Sequence, residues 1–302
     1  MRETIADMRD VVIIGAGVAG LTAATYFGRF RRPALVVDGD ASRARWIPES
    51  HNIPGIPQGV GGPELLSRLK AQAQRYDAEL ISGWACSIAR REGGFAVEVG
   101  DRSIDCRYVV MATGVEDQLP PLAGSAEALM RSVLRVCPIC DAFEAIDKRI
   151  AVIGDGERGE HEAEFLRTYS AHVCYLHVGP DEGQACRRRL AERGIDFIEI
   201  ELSQLRITDR SLELVQPQGM QRVFDVFYGA LGCSARIGLA STLGAACDES
   251  NALRVSSHQQ TTVEGLYAAG DNVRGLNQVV VAAAEAAIAA TDIHNRLRRA
   301  GH

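Results

Sequence analysis

Asp10-Val11-Val12-Ile13-Ile14-Gly15-Ala16-Gly17-Val18-Ala19-Gly20-Leu21-Thr22-Ala23-Ala24-Thr25-Tyr26-Phe27 is the stretch that decides the fold. Its apolar run lacks the alternation of a half-exposed strand and predicts a parallel strand buried on both faces. The run enters a Gly-x-Gly-x-x-Gly turn, Gly15 to Gly20, and then a helical stretch from Leu21 to Phe27. Glycines at this spacing permit the tight turn and bring backbone amides, at the positive end of a helix, against a pyrophosphate. A second apolar run, Ala34 to Val37, ends at Asp38, where a carboxylate can bind the ribose hydroxyls of an adenosine. A glycine-rich surface turn would account for the glycines, but not for the strand, the helix and the terminal acid around them. The chain therefore opens as a dinucleotide-binding unit of the α/β class.

The pattern recurs after Lys148-Arg149. Strand Ile150 to Ile153 leads to Gly154-Asp155-Gly156-Glu157-Arg158-Gly159 and a helix through Phe165-Leu166. Two such units predict two Rossmann-like, three-layer halves. The second turn is chemically unsuited to a dinucleotide. Asp155, Glu157, Glu160 and Glu162 crowd negative charge where phosphates would sit, and like charge within about 4–6 Å opposes an anion. The next strand, His172 to His177, runs into Val178-Gly179-Pro180-Asp181-Glu182, with no cation for the 2′-phosphate of NADPH and no acid at its tip for NADH. Arg187-Arg188-Arg189 lie further on and read as a solvated helix face.

With 302 residues the chain is long enough for about two cores. Its net charge of −6 and lack of a basic run exclude a nucleic-acid backbone as partner. Met1 to Asp10 holds five charges, which fits neither a signal peptide nor a membrane span. Trp46 to Gly62 is so rich in Pro and Gly that no regular element is expected, and ordered loops of this length often carry function. Pro63 opens an amphipathic helix, Glu64 to Tyr76. Phe95 to Val99 and Arg102 to Cys106 alternate as antiparallel strands, and Tyr108 to Ala112 is a buried strand closing at Thr113-Gly114. Asp225 to Ala230 reads as a strand entering a turn. Gly265 to Ala269 is a short apolar strand ending in Gly270-Asp271. Val279 to Ile293 is an Ala-rich helix, which either offers its N-terminal amides to an anion or simply packs.

Chemistry concentrates at Cys137-Pro138-Ile139-Cys140-Asp141. Two cysteines at this spacing can close a small disulfide, and one of them gains a lowered thiol pKa suited to thiol–disulfide exchange. Asp141 is near enough along the chain to move protons to or from a leaving thiolate. Half of a zinc site is the alternative, but no second Cys-x-x-Cys supplies the other ligands, so metal is not expected. Cys86, Cys106, Cys174, Cys186, Cys233 and Cys247 are scattered and read as buried small apolar residues, which places the chain in the cytoplasm, where a Cys-x-x-Cys cycles. His51, His161, His172, His177 and His294 are each conceivable bases, with a structural role as the default for a lone histidine.

Taken in order, the Gly15–Gly20 fingerprint, Ala112-Thr113-Gly114, Cys137–Asp141 and Gly270-Asp271 resemble the low-molecular-weight thioredoxin reductase family of flavoproteins over nearly the whole chain. The resemblance implies a discontinuous FAD-binding domain, residues 1–117 and 246–302, with residues 118–245 inserted as a redox-dithiol domain swinging on two strands. It implies that Gly15, Gly17, Ala19, Gly20 and Asp38 hold the adenosine and pyrophosphate of FAD. Asn52, Ala112, Thr113, Gly114, Gly270, Asp271, Asn277, Gln278 and Val279 would lie along the ribityl chain and flavin. Cys140 would face the flavin, Cys137 would meet the external thiol, Asp141 would be the acid–base group, and the protein would be a homodimer.

Several positions depart from the family pattern. His177-Val178-Gly179-Pro180 replaces its basic cluster, Ser42-Arg43-Ala44-Arg45-Trp46 replaces Gly-Gly-Gln, and Asn277-Gln278 replaces Arg-Gln. The chain is thus similar to relatives that keep FAD and the dithiol but have lost the nicotinamide site, such as ferredoxin-dependent flavin thioredoxin reductases and gliotoxin-type dithiol oxidases. The expected function is FAD-dependent exchange of electrons with a dithiol or disulfide substrate, a thioredoxin-like protein or a small molecule, with ferredoxin or oxygen as redox partner. The alternatives are an NADPH-dependent thioredoxin reductase with a divergent nucleotide site, and a flavin-bound redox sensor without turnover.

Overall fold

A computed structural model describes residues 3–4, 8–179, 183–215, 219 and 221–302. Part of the charged opening segment (residues 1, 2 and 5–7) and Pro180, Asp181 and Glu182 of the second strand's exit lie outside the described residues. Two sheets dominate. The first uses β1 (Arg9–Ile14), β2 (Ala34–Asp38), β3 (Glu79–Ser82), β4 (Ala85–Arg91), β5 (Gly94–Val99) and β6 (Arg102–Met111) in the order β3-β2-β1-β6-β5-β4. Helix α1 (Val18–Arg29) links β1 to β2, and the crossover makes the two strands parallel. The helix begins inside the glycine turn, with Gly17 as its N-cap, and so is longer than the Leu21–Phe27 stretch that periodicity marks.

The unbroken apolar run of β1 now has its reason. Val11 and Ile13 enter a core with Ala23, Ala24 and Phe27 of α1, whereas Val12 and Ile14 enter the opposite core with Leu35, Val97 and Leu266. Each such side chain taken from water contributes roughly 1.5–3 kcal/mol. Helix α2 (Gly62–Gln74), with Pro63 in its first turn, covers the same face as α1. The stretches expected as two strands, Arg102–Cys106 and Tyr108–Ala112, form the single strand β6. Its first half closes an antiparallel hairpin with β5, and its second half lies parallel to β1, so one strand answers two different pairings.

The second sheet is wholly parallel. It holds β8 (Leu134–Arg135), β9 (Ile150–Gly154), β10 (Val173–His177), β11 (Asp196–Glu199) and β12 (Val226–Gly229), ordered β11-β10-β9-β12-β8. Helices α4 (Glu157–Leu166) and α5 (Gly183–Glu192) are its crossovers, and a one-turn helix α3 (Pro138–Asp141) follows β8. Between the sheets, β7 (Val115–Asp117) pairs antiparallel with β13 (Cys233–Ala235), Val115 against Ala235. The chain then passes through the short helix α6 (Gly238–Thr242) and β14 (Leu266–Ala268), parallel to β6, into α7 (Val279–Arg299), whose Ala286, Ala289 and Ala290 pack on α1. This α/β architecture of two Rossmann-like halves agrees with the expected fold class. No helix among the described residues is long and apolar enough to cross a membrane.

Candidate active site

The first glycine turn, the loop after β2, the start of α7 and the Cys-x-x-Cys border one cavity of about 730 Å³. Its floor is built by close backbone approach. Gly15 has φ +113°, its N–H donates to the Val37 carbonyl at 2.9 Å, and a Cβ there would stand 2.2 Å from the Ala112 oxygen. A Cβ on Gly20 would meet the Gly15 oxygen at 1.8 Å, so Gly20 serves the strand–helix contact and does not itself line the cavity. Gly17 and Ala19 do line it, and α1 starts there with neither a capping side chain nor an acid in its first turn. Its free amides are thus available to an anion. Asp38 closes β2 at one end of the cavity, accepting from the Asp40 N–H at 2.9 Å.

Ala112, Thr113 and Gly114 line the middle. The Thr113 hydroxyl donates to the Arg236 carbonyl at 2.6 Å and accepts from the fully buried Asn272 at 2.9 Å. Gly270 has φ +90° and donates its N–H to the Glu285 carboxylate at 2.8 Å, which holds the loop carrying Asp271 against α7. Asp271 accepts from Arg43 at 3.0 Å, and the same guanidinium holds Asp117 through two bonds of 2.7 Å. Burial works against the Arg43 charge, but Asp117 and Asp271 outweigh it and hold its pKa above the usual arginine range. Sequence reasoning saw Arg43 only as a departure from a pattern.

At the far end the Cys137–Cys140 disulfide is formed, with Cα atoms 5.3 Å apart. Cys137 caps the one-turn helix α3, where Pro138 at the first position supplies a fixed φ. Gln278, the N-cap of α7, donates from Nε2 to Cys140 Sγ at 3.3 Å and lies 3.7 Å from Cys137 Sγ. Its Oε1 accepts from Asn52 Nδ2 at 2.9 Å, and Asn52 Oδ1 accepts from Ser50 at 3.0 Å. The Pro/Gly-rich loop thus delivers a polar relay to the disulfide. Asn277 sits 4.0 Å from the Cys233 sulfur, and Val279 lines the cavity at the first turn of α7. Asp141 also lines it; burial pushes its carboxyl up to about 6, against the pull of Arg135 and a 2.9 Å hydrogen bond from Tyr228. Of the expected site residues, all but Gly20 line this cavity.

The histidines do not join this site. His51 pairs with Glu49 at 3.3 Å, His294 stacks on Phe30 and accepts from Arg32, and His177 is buried between Tyr175 and Phe197. None of the five lines the cavity.

The second glycine turn is filled from within the protein. A Cβ on Gly159 would fall 2.5 Å from the Tyr175 ring and one on Gly154 3.1 Å from it, while the Tyr175 hydroxyl donates to the Gly156 carbonyl at 3.2 Å. The charge expected there needs correction. Glu160 is neutralised by two short bonds from Arg189, and burial pushes Glu162 up to about 7. Arg189 is therefore an ion-pair partner, and Arg187 lies over the Phe197 ring and pairs with Glu199, so neither is simply a solvated cation.

A glycine cradle, an uncapped helix end and a half-buried acid beside a disulfide in one cavity define an FAD-dependent disulfide oxidoreductase of the thioredoxin reductase type. The chain belongs to the family described as pyridine nucleotide-disulphide oxidoreductase, which it matches over residues 9–286. It is 30% identical to the thioredoxin reductase of Mycolicibacterium smegmatis over 96% of each chain. A 32% identical match to NADPH-dependent thioredoxin reductase 3 of Arabidopsis thaliana takes in 60% of this chain but spans only 35% of that longer protein. Among solved structures, HlmI superposes with a TM-score of 0.89 at 28% identity, covering 99% of this chain and 95% of its own.

The residues present fit the flavin nucleotide, whose adenosine half would meet Asp38 and the α1 amides. Both tryptophans of the chain, Trp46 and Trp84, line the same cavity with 47% and 60% of their surface exposed. Trp84 rests over Gly39, the residue after Asp38, a hypothetical Cβ there being 3.1 Å from its ring. Tryptophan fluorescence is therefore expected to rise when FAD is stripped and to fall again, saturably, when it is added back. Unchanged emission would mean that FAD sits elsewhere.

Proposed function

We propose that the protein catalyses dithiol–disulfide exchange through Cys137 and Cys140, passing the electron pair to or from bound FAD, without efficient use of NADPH. The observation that carries this reading is the hydrogen bond from Gln278 to Cys140 at the rim of the cavity that the glycine turn also lines. FAD, when bound, supplies the two-electron redox chemistry that the side chains lack. Gly15, Gly17, Ala19 and Asp38 would hold its adenosine and pyrophosphate, with Gly20 packing the helix that serves them. Asn52, Thr113, Asp271, Asn277 and Gln278 would line the flavin end, and Val279 would present the first turn of α7 there.

The exchange balances in atoms and electrons. The substrate dithiol releases one proton to solvent, its thiolate attacks Cys137 Sγ, the bond to Cys140 breaks, and Cys140 leaves as a thiolate that takes a proton from Asp141. The second substrate thiol returns a proton to Asp141, and its sulfur attacks the first substrate sulfur and displaces Cys137, which leaves as a thiolate and takes a proton from solvent. The substrate loses two electrons and two protons, and the cysteine pair gains two of each. Gln278 steadies the negative charge that collects on Cys140.

Two observations support the NADPH reading: Tyr175 fills the second glycine turn, and no cation follows His177 in Val178-Gly179. We further infer that the molecule divides at the β7–β13 pairing, because residues 237–247 pack with Val12 and Leu35 of the first half. The substrate would be a thioredoxin-like protein or a small dithiol, with oxygen or ferredoxin as the redox partner and a homodimer as the working form.

Anaerobic flavin spectroscopy tests this. A dithiol should bleach the flavin rapidly, air should restore it, and NADPH and NADH should act far more slowly. Fast bleaching by NADPH would return the conventional reductase, and no response to a dithiol would remove the exchange function.

A further inference from the structure

Asp141 is held from beneath by residues that sequence reasoning did not single out. Arg135 ends β8 and Tyr228 lies in β12, and the two are direct register partners on neighbouring parallel strands. The strand pair thus delivers a cation and a phenol, both buried, to one point under α3. Tyr228 donates to Asp141 Oδ1 at 2.9 Å, and the Arg135 guanidinium donates to the Asp141 carbonyl and lies 3.7 Å from the same Oδ1. Arg135 is itself fixed by the Ser132 carbonyl at 3.3 Å and stands 6.0 Å over the Tyr228 ring. Oδ2 accepts no hydrogen bond from any described residue, and the carboxylate keeps 29% of its side-chain surface exposed at the cavity.

We propose that Arg135 and Tyr228 are positioning residues for the exchange, tying down one oxygen of Asp141 so that the other carries the proton to and from the dithiol. This rests on the reading of Asp141 as the proton carrier. A carboxylate free to rotate would sample many orientations, and holding it in one converts proton transfer into a step between preplaced partners. The charged or titratable groups acting on Asp141 are Arg135 from β8, Tyr228 from β12 and Glu144 from the turn after α3. The first two favour the ionised form and Glu144 opposes it, so losing either of the first two raises the carboxyl pKa.

The test is the pH dependence of dithiol-driven flavin bleaching in the FAD-loaded protein. The wild type should show an inflection near the Asp141 value of about 6. Asp141→Asn should erase it. Tyr228→Phe should move it upward, and Arg135→Gln should move it upward by about one pH unit, the lower end of what a neighbouring cation imposes. Arg135→Lys, which keeps the charge, should hold it near the wild-type position. Slower bleaching with an unmoved inflection in Tyr228→Phe and Arg135→Gln would overturn the positioning role while leaving Asp141 as carrier. An inflection that survives Asp141→Asn would overturn both. Should Arg135→Gln fail to retain FAD, Tyr228→Phe decides alone.

Discussion

Cys140→Ser is expected to abolish bleaching of the flavin by a dithiol while leaving FAD bound. The sulfur of Cys140 accepts the Gln278 hydrogen bond at 3.3 Å, and a serine hydroxyl can neither form the disulfide nor leave as an anion at neutral pH. Loss of fold would not explain the result. The closed loop is so short, with a sequence separation of 3, that the bond limits the unfolded chain by only about 2 kcal/mol. A domain of this kind has about 5–15 kcal/mol in hand. The check is rapid-mixing absorbance beside the visible flavin spectrum of the resting protein. Bleaching at the wild-type rate would sink the cysteine pair as the conduit.

Gly15→Ala is expected to do the opposite, removing the cofactor by breaking its floor. The residue stands at φ +113°, a conformation that costs a side-chain-bearing residue about 1–3 kcal/mol. The added methyl would also lie 2.2 Å from the Ala112 carbonyl oxygen and 2.8 Å from its carbon. These are backbone atoms of the residue directly after β6, held to β1 by the Ala112 N–H donating to the Ile14 carbonyl at 2.9 Å, so no rotamer change relieves the overlap. Separating β1 from β6 adds overpacking of about 1–3 kcal/mol. The sum is a large part of the stability of a marginal fold. The purified variant should be colourless after gel filtration, with a melting temperature lowered by many degrees. Gly17→Ala supplies the contrast. There the methyl meets only the Ser42 hydroxyl, at 3.2 Å, so the fold should survive and only FAD affinity should fall. A yellow Gly15→Ala protein with wild-type melting would refute the account of the turn.

Much of this was legible because the signals are local. The run Val11 to Ile14 reads as buried on both faces, and its side chains do alternate between two cores. The spacing of Cys137 and Cys140 and the glycines at 15, 17 and 20 carry their geometry with them. What could not be read depends on partners far apart in sequence. Arg43 reaches Asp271 across 228 positions, and Tyr228 reaches Asp141 across 87. Nothing in the neighbourhood of either residue announces its partner. The acidic second glycine turn misled for the same reason. The charge of Glu160 is cancelled by Arg189, 29 positions away, and the turn's glycines make room for a ring that only the fold brings near.

The pairing of β7 with β13 has a further meaning for how such a chain can change over generations. Departure and return lie side by side, with Val115 opposite Ala235, so the chain between them leaves and rejoins at one short seam and meets the other half again at the cavity, where Gln278 reaches Cys140. A segment attached in this way can be rebuilt, shortened or exchanged without pulling on the strands that form the flavin cavity, because its two ends never have to move apart. Mutations in the hanging segment and in the half that carries it are then largely independent in their effects on stability. This is the condition under which one glycine turn keeps Gly15 and Gly17 open to the cavity while its counterpart closes around a tyrosine in the same chain.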